Sequence, residues 1–135
     1  MSQLTRWLPR LITGLGVVHV IYAVAESPGE IGGMATSGLL GAADTWRRHY
    51  VVWFLIGAFT LFMIGSMSRW AIRRAGAIPP HLGWWMLAIG VFDTVLEPYG
   101  GGYLVFALGA LILYQARGAA PAPAAYPPEL TEVQR

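Results

Sequence analysis

The chain has 135 residues, 56% of them hydrophobic and 12% charged, with a net charge of +2 and no cysteine. A soluble domain carries about 25% charged residues, so too little polar surface is present to cover a water-soluble globule. Length allows one domain, and the missing cysteine excludes disulfides, thiolate nucleophiles and Cys-ligated metals.

Residues 1–7 are polar and end in Arg6-Trp7. An apolar segment over 8–25 follows, interrupted only by Arg10, which can snorkel to lipid headgroups while Trp7 suits the interface. A charged start and an apolar middle would also fit a signal peptide, but no Ala-x-Ala-like cleavage site is present and more apolar segments follow. Residues 26–49 read as a loop outside the membrane, with turns at Pro28, Gly29, Gly32 and Gly33 and a short interfacial helix over Met34–Leu40. Asp44 is placed to cap the next helix, whose first turn would hold Thr45, Trp46, Arg47 and Arg48. The segment 50–68 carries no charge and is long enough for the ~30 Å hydrocarbon core. Arg69, Arg73 and Arg74 follow, then a hard break at Gly76 and Pro79-Pro80. A third span is expected over 82–97, a tight turn at 98–102, and a fourth, rather short span over 103–116. The Pro/Ala-rich tail 118–135 is expected to be disordered.

The expected architecture is all-α: an integral membrane four-helix bundle over residues 1–117, multi-pass in the cell membrane. Arg6, Arg10, Arg69, Arg73, Arg74 and Arg117 fall on one side of four spans, against Arg47 and Arg48 on the other, which makes both termini cytoplasmic. Spans one and three, each preceded by arginines and ended by Glu26-Ser27-Pro28 or Glu97-Pro98, hint at a duplicated hairpin.

His19 lies eleven residues into the first span and Asp93 eleven into the third, so both sit about 16 Å from the cytoplasmic end. His19, Tyr22 and Glu26 are spaced i, i+3, i+7, and Asp93 and Glu97 are spaced i, i+4, so each span carries a polar stripe. Lipid will not solvate such stripes, and they are expected to face each other in a pocket opening outward. Aromatic residues, of which Trp53, Phe54, Trp85, Phe92 and Tyr99 are the expected wall, surround it in sequence.

Structural roles compete with functional ones. His19 can hydrogen-bond a neighbouring helix. Glu26 and Glu30 suit exposed loop ends, and Glu97 can clamp Arg47 or Arg48. Gly14 and Gly16, and Gly57 with Gly65, suit close helix packing. Asp93, an intramembrane acid with no arginine nearby in its span, reads as functional.

Two acids a turn apart in water-poor surroundings do not both ionise readily, and one that keeps its proton is a proton donor. Aromatic faces stabilise cations. The combination suits protonation of an isoprenoid alkene or epoxide and guidance of the carbocation to a ring. In this reading Asp93 is the acid, Glu97 its partner, and His19, Tyr22 or Glu26 the final base. The expected function is thus a membrane cyclase or isomerase of a terpenoid or meroterpenoid arriving from the bilayer. Two alternatives remain: a non-catalytic membrane subunit with acid–arginine pairs, and a proton-coupled carrier. No cofactor, metal site or nucleic-acid partner is expected, because no metal motif, P-loop, dinucleotide fingerprint or Ser-His-Asp pattern is present. A homo-oligomer is compatible with these features.

From Thr5 to Arg117 the sequence resembles small four-helix bacterial membrane proteins grouped as a family of unknown function. The likeness rests on Arg6-Trp7, the Gly14–His19 stretch, Trp53-Phe54, Arg69-Trp70, Pro79-Pro80 with Leu82-Gly83-Trp84, and Gly102-Tyr103. The resemblance implies membrane location and four helices, and no activity. Asp93 and Glu97 depart from the small or apolar residues expected there. In kind only, the pocket is similar to that of small membrane-bound terpene cyclases, with no motif to carry a residue over.

Overall fold

The computed structural model describes residues 3–38 and 40–118, and within them it is all-α, with five helices and no strand. Helix α1 (Gln3–Glu26) stops just before Pro28, and Pro28 opens the short α2 (Pro28–Thr36), its missing N–H costing nothing in a first turn. Helix α3 (Trp46–Ala75) is capped by Thr45, whose hydroxyl accepts from the Arg48 N–H at 3.4 Å. The cap is therefore Thr45 and not Asp44, whose carboxylate takes the Arg48 guanidinium at 2.9 Å instead. Gly76, at φ +72°, adopts the left-handed turn that closes α3, and its N–H donates to the Ile72 carbonyl at 2.9 Å. Pro80 opens α4 (Pro80–Leu96), and α5 (Gly102–Arg117) follows the turn at 97–101.

The four expected spans fall on α1, α3, α4 and α5, while the short loop helix lies at 28–36 and not at 34–40, because Pro28 starts it earlier. Helices α1 and α3, at 24 and 30 residues, are long and apolar enough to cross a membrane. At 17 and 16 residues, α4 and α5 are shorter than the ~20 residues of a standard crossing. Of the expected tail, residues 119–135 lie outside the described residues.

The helices pair as two antiparallel hairpins, α1 with α3 and α4 with α5, joined mainly through α1 and α5. In the second hairpin Gly83 and Gly90 lie seven residues apart on α4, and Gly102 and Gly109 seven apart on α5, so each pair shares a face. A Cβ at Gly109 would stand 2.6 Å from Leu87 N and 2.8 Å from Gly83 O, so the two backbones touch directly. In the first hairpin Gly16 packs on Phe62 and Ala58, and Gly65 on Thr13 and Pro9. Gly14 faces open space and Gly57 meets only the His19 ring, at 3.9 Å, so of the four glycines expected to bring helices close, Gly16 and Gly65 do so.

Between the hairpins the core is built from Leu8, Ile12 and Leu15 of α1, Leu61 of α3, Ile78 of the connector, Met86 of α4, and Val105, Leu108 and Ile112 of α5. This packing lies toward the end where the chain turns from α3 into α4, here called the closed end. Toward the other, open end, α3 and α4 share no extensive interface and the hairpins part. The outer faces are apolar, with Ile21, Ile56, Phe59, Met63, Val95 and Phe106 all exposed.

Candidate functional site

The parting hairpins leave a cleft of about 650 Å³ at the open end, walled by α1, α3, α4, α5 and the turn before α5. Each helix supplies one face at helical spacing. Leu15, Val18, His19 and Tyr22 come from α1, and Tyr50, Phe54, Gly57, Leu61 and Ile64 run down α3. Met86, Ile89 and Asp93 come from α4, and Leu104 and Val105 from α5.

Phe54 is the hub of the α1–α3 wall. The His19 ring stacks on it at 4.8 Å between centroids, and the Tyr22 and Tyr50 rings lie tilted against it at 5.3 and 5.7 Å. The Nδ1–H of His19 donates to the Leu15 carbonyl at 3.1 Å. A carbonyl only accepts, so the proton of the neutral ring sits on Nδ1 and Nε2 is left as an acceptor.

On the facing wall Asp93 is half-buried, with its Oδ2 against the Cα of Gly102; a Cβ there would stand 3.0 Å away. Beside it, Thr94 Oγ1 is buried with no hydrogen-bond partner among the described residues. Glu97 caps α4 with non-helical angles, φ −132° and ψ 79°, and its N–H donates to the Asp93 carbonyl at 2.7 Å. The expected i, i+4 stripe is thus broken at its last residue, because the chain turns at Pro98. Both acids still line the cleft, Asp93 within it and Glu97 exposed at the rim.

Most of the expected site residues converge. His19, Tyr22, Asp93, Glu97, Trp53, Phe54, Phe92 and Tyr99 all line the cleft. Glu26 and Trp85 do not. Glu26 is the last residue of α1, exposed and a turn beyond Tyr22, and Trp85 is exposed on α4. Tyr50, another of the aromatics around the pocket in sequence, also lines the cleft, at i, i+4 spacing to Phe54.

Glu97 forms no clamp with Arg47 or Arg48. Arg47 lies 3.7 Å from Glu30, and Arg48 holds Asp44 at 2.9 Å and the Ala42 carbonyl at 3.1 Å. Among the described residues no arginine lines the cleft. Among the described residues, no three His, Asp or Glu side chains are grouped as a metal ion would need.

What results is a cleft with aromatic walls, two carboxylates without cationic partners among the described residues, and one imidazole acceptor. No curated protein and no solved structure matches the chain, and the likeness in kind to terpene cyclases gains no support from these comparisons. The sequence model of a family of unknown function (DUF6463) matches residues 3–119, and the chain belongs to that family.

Proposed function

We propose that this protein crosses the membrane four times, with both termini cytoplasmic, and that its cleft is an acid–base site for a lipophilic substrate. The apolar outer faces support the membrane reading, because lipid solvates such surface and water does not. Arg6, Arg10, Arg69, Arg73, Arg74 and Arg117 gather toward the closed end, which suits a cytoplasmic side. Helices α4 and α5 cross despite their length because the turn at 97–101 dips into the outer leaflet. Irregular backbone is tolerated there when it lines a cavity, as Glu97, Tyr99, Gly100 and Gly101 do.

The reaction is a protonation-initiated cyclisation or isomerisation of an isoprenoid alkene or epoxide. The observation that carries it is the placing of Asp93, with no cationic partner, and the free Nε2 of His19 on walls of the same aromatic cleft. The Asp93 carboxyl gives its proton to the alkene carbon or epoxide oxygen, and the π or C–O electrons leave a carbocation. A second π bond closes the ring, and Nε2 of His19 takes the proton lost from the neighbouring carbon. Product and substrate have the same mass, and the proton returns from imidazolium to carboxylate through water at the open end. Trp53, Phe54, Phe92 and Tyr99 shield the cation. The substrate enters from the bilayer between α3 and α4.

Membranes containing the protein are supplied with farnesylated and epoxyfarnesylated aromatics, with Asp93→Asn alongside. The expected result is an isomer of unchanged mass and new retention from the wild type alone. The same isomer from Asp93→Asn would remove Asp93 as the acid, and no isomer from either would refute the reaction.

A further inference from the structure

We propose that the cleft binds lipophilic organic cations, hydrophobic amines or onium ions whose charge is shielded by apolar groups. The inference rests on the reading above only in using the same cleft and carboxylates, and it requires no turnover.

Size comes first. A space of about 650 Å³ falls within the ~300–1,000 Å³ of pockets that enclose drug-sized ligands. Charge comes second. Two carboxylates and one imidazole, His19, line the cleft, and among the described residues no arginine does; Arg48 is held by Asp44, and Arg47 lies 3.7 Å from Glu30. The chain has no lysine. An anion would meet Asp93 and Glu97, and a neutral guest would leave both without a partner; a cation offers each one.

The rings give a third, independent observation. Trp7, Trp46 and Trp70 each carry an arginine guanidinium over the ring, at 5.1, 5.5 and 5.8 Å, and none of the three lines the cleft. Trp53 does line it, and among the described residues no guanidinium stands over its ring. Phe54, Phe92 and Tyr99 line it as well. Aromatic rings along a cleft that carries one acid on its wall and another at its rim suit a cation that is large, weakly hydrated and apolar outside. A small hydrated ion such as sodium gains little there, because ring faces do not replace its water shell.

The test compares two ions of one shape and opposite charge. The full chain, purified in neutral detergent, is titrated calorimetrically with tetraphenylphosphonium and separately with tetraphenylborate. The expected result is saturable one-to-one binding of phosphonium, with borate at least tenfold weaker. This comparison needs no mutation and so does not depend on a variant folding. The double change Asp93→Asn with Glu97→Gln should weaken phosphonium binding at least tenfold, and Asp93→Glu, which keeps the charge, should retain it within a few-fold. Equal binding of the two ions, or absence of saturable phosphonium binding, would overturn the inference. So would unchanged affinity in a folded double variant.

The two readings fail separately. Phosphonium binding without isomer formation refutes the reaction and leaves the cation site standing. Isomer formation that phosphonium neither binds alongside nor inhibits refutes the cation site and leaves the reaction standing.

Discussion

Replacing Gly109 by alanine should destabilise the protein although alanine is the better helix former. In α5 the new Cβ would stand 2.6 Å from Leu87 N and 2.8 Å from Gly83 O, whereas ordinary contact begins at 3.4 Å. Both neighbours are backbone atoms of α4, so no side chain can swing away, and the helices must part by about 0.8 Å. Overpacking of this kind costs about 1–3 kcal/mol, while the gain in helix propensity returns about 1 kcal/mol at most. The net expectation is a loss of up to about 2 kcal/mol. Gly14→Ala is the matched control, because nothing stands within 4 Å of its Cβ and only the propensity gain remains. Unfolding in mixed detergent micelles at rising SDS fraction, followed by circular dichroism, should rank Gly109→Ala below wild type and Gly14→Ala at or above it. If Gly109→Ala matches or exceeds Gly14→Ala, the α4–α5 hairpin is not held by backbone contact and the argument fails.

Further outcomes follow from single contacts. Gly102→Ala would press on Thr94 Oγ1 at 2.6 Å and Asp93 Oδ2 at 3.0 Å, and should cut phosphonium affinity or isomer formation by about tenfold or more by displacing the acid; Gly14→Ala, with open space around it and outside the cleft, should not. Ser68 is fully buried with no hydrogen-bond partner for its hydroxyl among the described residues, so Ser68→Ala should raise stability by about 1 kcal/mol in the same SDS titration. Arg48→Ala removes the bonds to Ala42 O and Asp44, and should cost about 1 kcal/mol locally, read as faster proteolytic cleavage across 37–45. Because the chain lacks cysteine, Ser37→Cys and Ala77→Cys introduce single probes. An impermeant maleimide on intact cells should label Ser37→Cys alone, and labelling of Ala77→Cys instead would invert the topology.

The sequence by itself determined the helices and which of their residues are chemically unusual. Long uncharged runs and the breaks at Gly76 and Pro79-Pro80 act locally through hydrophobicity, fixed φ or a left-handed turn, so the four long helices were legible, although α3 runs over 46–75 rather than 50–68 and the short helix over 28–36 rather than 34–40. That His19 and Asp93 are unusual polar positions within apolar helices was legible for the same reason, and both line the cleft. Three things were decided only by the tertiary structure. The α4–α5 backbone contact at Gly83, Gly90, Gly102 and Gly109 depends on which face meets which, and seven-residue spacing alone does not say so. Arg48 takes Asp44 at local i, i+4 spacing, whereas the approach of Arg47 to Glu30 depends on how α2 packs against α3. The cleft exists because the core between the hairpins closes at one end only, which brings Tyr50 in and leaves Glu26 and Trp85 out. Spacing along a helix fixes direction about its axis, but only the packing of one helix on another decides which directions enclose a space.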